Sequence, residues 1–345
     1  MGLKRLAALA CWLALLVAPP AAPAATVAET GGPTAVREYA GNIVFSQFDQ
    51  ATSKWFLAVR RAGHAVQRLP AAPSATPFEA DIGPDSAGRP AVIYQRCGGT
   101  AALPTGCDLF LLSLTEGAGE RPVSGANNRH RNDSTPTLWR GRIAWVREYG
   151  TQVRPNPVVY TRTLTGKDSR RSRRVPGVPR RRCGDVEGGC GRTTGRAVDA
   201  LELRGDRLAL IVRFACRGCS GTSQSALRLD DIRKATSREV AFQVIGLSGQ
   251  SLVGPSFFAG KLAWYKSCAV DPAGCKRGGG FRYVISTRRY ERAPGPVRVD
   301  GFADAGSPLY EVVGCSEQEQ APFVAGCRLD EIAPPTYERT RAPRR

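Results

Sequence analysis

Gly141-Arg142-Ile143-Ala144-Trp145-Val146 and Gly260-Lys261-Leu262-Ala263-Trp264-Tyr265 are one phrase written twice: a glycine, a basic residue, then an apolar run centred on Ala-Trp. Weaker copies stand at Gly41-Asn42-Ile43-Val44-Phe45, Gly88-Arg89-Pro90-Ala91-Val92-Ile93-Tyr94, Gly205-Asp206-Arg207-Leu208-Ala209-Leu210 and Gly306-Ser307-Pro308-Leu309-Tyr310. Successive glycines lie 47, 53, 64, 55 and 46 residues apart. A repeat of about 50 residues with short strands is the length of one four-stranded propeller blade with its connections. The spacing therefore predicts an all-β chain, a single β-propeller of six four-stranded blades. Five or seven blades also fit, because the unit after Gly141 is long and the first and last units are incomplete.

Each unit carries further strands. A second one follows at residues 55–59, 108–114, 158–164, 226–230, 281–287 and 327–332, and a third, short one at 65–69, 120–123, 173–175, 238–244 and 296–299. Extended helical periodicity is absent; residues 227–236 are read as a strand entering a polar turn. The stretch Asp81-Ile82-Gly83-Pro84-Asp85-Ser86-Ala87-Gly88-Arg89-Pro90-Ala91-Val92-Ile93-Tyr94 is similar to the proline-aspartate-glycine turn of the TolB-like, WD-related β-propeller repeat. That resemblance, spread over most of residues 34–332, implies the fold and leaves the activity open, since propellers host many unrelated functions.

The domain plan runs from a signal peptide at 1–24, through a linker at 25–33 and the propeller at 34–332, to a loose basic tail at 333–345. Lys4 and Arg5 precede an apolar run at 6–17, and Ala22-Pro23-Ala24 supplies small residues for cleavage, the pattern of a secretory leader. With no second long apolar run, the chain is expected to be secreted, either free outside the cell or associated with the envelope, without a membrane span, and monomeric. Ring closure is expected from Thr34 to Tyr39, or the segment before it, joining the last blade near 328–332.

Of eleven cysteines, Cys11 lies in the leader. The other ten form neighbouring couples: Cys97 and Cys107, Cys183 and Cys190, Cys216 and Cys219, Cys268 and Cys275, Cys315 and Cys327. In an oxidising compartment they read as disulfides, with Cys183 or Cys190 also able to reach Cys216 or Cys219. Zinc is disfavoured because neither His64 nor His130 stands beside a couple.

With blade strands labelled a to d outward from the axis, b–c hairpins and d–a connections emerge on one face. Four couples then staple b–c hairpins, and Cys183 and Cys190 lie in a d–a connection. The chain carries 49 basic against 30 acidic residues, a net charge of +19, and a dense arginine run is expected on that same face. The run comprises Arg170, Arg171, Arg173 and Arg174, then Arg180, Arg181 and Arg182, and suits an anionic partner, Arg being apt for bidentate contacts. Nucleic acid is disfavoured, since no aromatics interleave the arginines.

Asp81, Asp133, Asp199 and Asp300 precede the blade glycines near the starts of innermost strands. Such carboxylates can ring the axial mouth and hold Ca²⁺, or simply cap turns. No cofactor is otherwise expected. The sequence contains no Gly-x-Ser-x-Gly elbow and no His-Glu-x-x-His. Two functions remain. The first is a secreted, non-catalytic propeller whose stiffened, Arg-rich face binds a protein, a glycan or an anionic envelope polymer. The second is a secreted hydrolase or lyase acting on a sugar or lactone with carboxylates at the axial mouth.

Overall fold

In a computed structural model of the chain, the structure describes residues 24–99, 104–115, 119–128, 130–151, 154–165, 171–175, 193–216, 223–245, 250–268, 278–315 and 326–340. These residues form strands and turns with no helix among them. Six antiparallel sheets result.

The first strand, β1 (Ala25–Glu29), belongs to the last blade. Blade one is β2 (Arg37–Tyr39), β3 (Asn42–Asp49), β4 (Lys54–Arg60) and β5 (Val66–Arg68). Blade two is β6 (Ala80–Pro84), β7 (Pro90–Gly99), β8 (Pro104–Ser113) and β9 (Arg121–Pro122). Blade three is β10 (Asp133–Trp139), β11 (Arg142–Thr151), β12 (Arg154–Thr163) and β13 (Arg173–Arg174). Blade four is β14 (Thr193–Arg204), β15 (Arg207–Cys216), β16 (Ser223–Asp231) and β17 (Thr236–Ile245). Blade five is β18 (Gln250–Phe258), β19 (Lys261–Cys268), β20 (Gly279–Val284) and β21 (Arg289–Ala293). Blade six is β22 (Gly301–Asp304), β23 (Leu309–Val313) and β24 (Arg328–Ile332), completed by β1. Finally β25 (Glu338–Thr340) adds a fifth strand to blade five. This is the expected six-bladed propeller.

The repeated glycine is explained by its turn. Gly41, Gly88, Gly141, Gly205, Gly260 and Gly306 all have positive φ, from +63° to +89°, between strands a and b of their blades. In three turns the preceding residue, Ala40, Arg140 or Ala259, is also at positive φ, the two-residue geometry that matches the twist of a tight hairpin. The apolar run that follows each glycine is continuous because strand b is covered on both faces. In β7, Val92 and Tyr94 pack toward blade one while Ala91 and Ile93 pack toward blade three. In β11, Trp145 turns to blade two and Ala144 and Val146 to blade four. Six apolar clusters, one per blade interface, form the core.

Residues 25–33, expected as a linker, contain the strand that closes the ring: β1 pairs antiparallel with β24, Ala25 opposite Glu331 and Glu29 opposite Arg328. Residues 333–345, expected as a loose tail, are docked in part. β25 pairs with β21, and Tyr337 lays its ring under the Arg282 guanidinium, 3.6 Å from the centroid. An open backbone edge on blade five and a cation to stack on account for the docking.

Two disulfides, Cys97–Cys107 and Cys315–Cys327, join strand b to strand c as expected. Cys268 at the end of β19 is also disulfide-bonded, and Cys275, the partner expected for it, lies outside the described residues. Cys183, Cys190 and Cys219 lie outside them too, and of Cys216 only the backbone is described.

The turn geometry makes a graded prediction. Gly205→Ala places a Cβ in open space at φ +63° and carries only the left-handed strain, about 1–2 kcal/mol. Gly141→Ala, at φ +70°, carries that strain and also drives the Cβ to 2.9 Å from Ser86 Cβ of blade two, so thermal denaturation should show the larger fall in Tm for Gly141→Ala.

Candidate functional site

All six blades converge on an open axial basin of about 870 Å³. It lies on the face of the b–c hairpins, with the Cys97–Cys107 staple on its wall. Its floor and walls come from the starts of innermost strands, such as Thr34 to Arg37 and Gly301, and from the ends of the neighbouring b strands, which supply Gln95, Glu148 and Arg213.

Of the four aspartates expected at this mouth, Asp199 and Asp300 line the basin. Asp133 does not. It is fully buried and accepts hydrogen bonds from Trp145 Nε1 at 3.0 Å and Arg147 Nε at 2.7 Å. Side chains alternate along a strand, so Asp133 turns into the blade while its neighbours Asn132 and Ser134 take the basin positions. Asp81 points toward the axis but beyond the basin. Its Oδ2 accepts from Thr137 Oγ1 at 2.7 Å and from Leu138 N at 2.8 Å, binding blade two to blade three. Among the described residues no three His, Cys, Asp or Glu side chains cluster as metal ligands.

Below the basin sits a buried ionic cluster. Arg37 Nε lies 3.6 Å from Glu202 Oε2 and 4.0 Å from Asp81 Oδ1. Burial holds both carboxyls above the usual carboxylate range against the opposing pull of Arg37, and Glu202 is raised further by its nearness to Asp81.

Two carboxyls that the sequence reading missed complete the basin. Glu79 accepts from Thr135 Oγ1 at 2.8 Å and Thr135 N at 2.9 Å, and burial raises its pKa, with repulsion from Asp199 adding to the shift. Glu148, at the end of β11, has an Oε2 that is buried with no hydrogen-bond partner, and burial pushes its carboxyl up to about 7. Asp199 opens to the basin with Arg213 Nη2 donating to its Oδ1 at 3.1 Å. Burial raises its carboxyl and Arg213 opposes the rise. Asp300 is likewise raised by burial, opposed by Arg298 at 3.5 Å. The available signal for Glu148 and Gln95 was register: both stand seven residues after their blade glycines, polar ends to otherwise apolar runs.

The arginine run is divided. Arg171, Arg173 and Arg174 lie at the c–d turn of blade three, where β13 begins, so they project on the face opposite the disulfides and the basin. They were expected on the face of the d–a connections, but strand direction reverses between c–d and d–a connections, so the two emerge on opposite faces. Arg170, Arg180, Arg181 and Arg182 lie outside the described residues. His64 and His130 occupy exposed turns away from the basin.

No family profile matches the sequence, and no curated protein matches it. Solved structures match most of the chain at low identity. An α-L-arabinanase from Penicillium chrysogenum, complexed with arabinobiose, is 11% identical over 91% of this chain and 99% of its own, with a TM-score of 0.47. The β-propeller domain of the trilobed protease from Pyrococcus furiosus is 7% identical over 91% of this chain and 97% of its own, with a TM-score of 0.45. An acylaminoacyl peptidase from Pyrococcus horikoshii is 8% identical with a TM-score of 0.41; the match covers 82% of this chain and 49% of the peptidase, so the chain spans about half that protein's length. By its own six sheets and the residues around the axis, the chain is a six-bladed β-propeller with a carboxyl-lined axial basin.

Glu148 supplies a pH test. Its folded pKa stands above the ordinary 4.5, so the folded state binds the extra proton between about 4.5 and 7. Its contribution is fully present below that window and is lost as pH rises through it. Glu148→Gln removes the titration, so the Tm of the variant relative to wild type should rise as pH is taken from 4 to 8; a constant difference would show that Glu148 ionises normally.

Proposed function

We propose that the protein is an exported hydrolase of the TolB-like propeller type, acting on a sugar-based substrate seated in the axial basin. The observation that carries this is Glu148: a half-buried side chain whose Oε2 is buried without a hydrogen-bond partner and whose carboxyl is pushed up to about 7, on the wall of a basin large enough for a sugar. Export is supported by the leader-like start of the sequence and by the disulfides. Among the described residues no helix is long and apolar enough to cross a membrane.

The basin walls separate two carboxyl roles. Glu148, with nothing to stabilise its charged form, is suited to give a proton to the leaving oxygen as the glycosidic C–O bond breaks. Asp199, made more basic by burial while Arg213 favours its charged form, is suited to take a proton from the water whose oxygen attacks the sugar carbon. Protons balance: one leaves Glu148 and one arrives at Asp199. Gln95 and Asn132 offer neutral groups for sugar hydroxyls, and the Thr135 clamp fixes Glu79.

The purely binding role has weaker support on this face, because the described arginines that motivated it stand on the other one. The test is hydrolysis of a panel of aryl glycosides and polysaccharides by the mature protein, read as released reducing ends. Glu148→Gln and Asp199→Asn should each lower the rate by about 10²–10⁴-fold. Unchanged turnover in both variants, or no turnover across the panel, overturns the hydrolase reading.

A further inference from the structure

On the face opposite the basin, blades three and four enclose a second hollow of about 250 Å³. Six arginines are among its lining residues, Arg142, Arg162, Arg171, Arg173, Arg174 and Arg233, of which Arg162 turns its guanidinium toward the segment after β9, Nη1 donating to Ser124 O at 2.6 Å. One carboxylate, Asp206, faces them. Asp206 is already shared, 2.5 Å from Arg142 Nη1 and 4.0 Å from Arg233 Nε. Among the described residues, no carboxylate is within ion-pair distance of Arg171, Arg173 or Arg174, and all three are exposed. Thr163 adds a hydroxyl with no hydrogen-bond partner.

We propose that this hollow binds a tetrahedral oxyanion, a phosphate or sulfate group. Like charges brought together by a rigid sheet repel one another, and among the described residues Asp206 is the one carboxylate lining the hollow, so an anion from outside would relieve the surplus at Arg171, Arg173 and Arg174. The residue type fits, because planar guanidinium forks bind such oxyanions through paired N–H donors. The convergence is also built by the fold. Arg173 is fixed opposite Thr161 and Arg174 opposite Tyr160 by the ladder of blade three, whereas Arg233 comes from the c–d turn of blade four. Positive charge continues into the next inter-blade gap, where Arg207 and Lys234 line a hollow of about 420 Å³, so the group can be a free ion or one carried on a polymer running along this face.

Titration calorimetry at low and physiological salt tests the site with inorganic phosphate and with polyphosphate as probes. The proteins are wild type, Arg171→Ser/Arg173→Ser, and a control, Arg288→Ser/Arg289→Ser, which removes the same charge from an equally exposed c–d turn of blade five. The Arg171/Arg173 pair should cost about tenfold or more in affinity, and the control should stay within about twofold of wild type. Binding of inorganic phosphate with this dependence identifies a free ion as ligand. Binding of polyphosphate alone with the same dependence identifies a polymer-borne group. Equal loss in both variants means attraction by net charge only, and it overturns the site, as does no binding of either probe. Because the basin is on the other face, failure here leaves the hydrolase reading untouched.

Discussion

Every blade of this molecule needs a neighbour on each side, and the strand that satisfies the last of those needs comes from the far end of the chain. Strand b of a blade is apolar on both faces, so an unclosed ring would leave the outer faces of blades one and six wet. The pairing of β1 with β24 prevents this, reinforced by Thr26 Oγ1 donating to Asp330 Oδ1 at 3.0 Å across 304 residues of sequence. Arg60 of blade one adds a second tie, reaching Glu331 Oε2 at 2.5 Å. The cluster that includes Val36, Ile43, Tyr310 and Leu329 exists only because the two ends meet.

Closure also creates the chemistry. Six innermost strands converging on one axis crowd their side chains, and carboxyls placed there lose water before they gain partners. Where a partner exists, the group becomes structural: Asp133 with Arg147, Arg282 with Asp304 at 2.6 Å, Arg37 with its two carboxyls. Where none exists, as at Glu148 Oε2, the proton is retained instead. The axis thus sorts carboxyls into fasteners and candidate acids by what stands opposite them.

Within the site, legibility followed how local the determining geometry was. Asp199 and Asp300 were readable because position relative to the blade glycine places a residue near the axial mouth. Asp133 shares that position and still fails, since the pleat turns it toward Trp145 and Arg147, and a shift of one residue sends a side chain to the other face. Glu79 and Glu148 lay on the right strands, but nothing in their immediate neighbours distinguishes a basin wall from an ordinary blade face. Glu148 is a candidate acid only because its Oε2 is buried without a donor in the folded ring. The division of the arginine run needed strand direction as well, which decides the face on which a turn emerges.

By itself the sequence determined the repeat: a glycine that alone adopts positive φ cheaply, followed by an apolar run long enough for one strand, at a period that only a blade fills. It also determined the couples Cys97–Cys107 and Cys315–Cys327, because a hairpin brings such residues together whatever surrounds it. Tertiary structure decided which strand closes the ring, where the last residues dock, which carboxyls meet at the axis and what charge each retains. Those depend on contacts between residues far apart in the chain, and on how much water the assembled ring leaves around each group, quantities that no local pattern encodes.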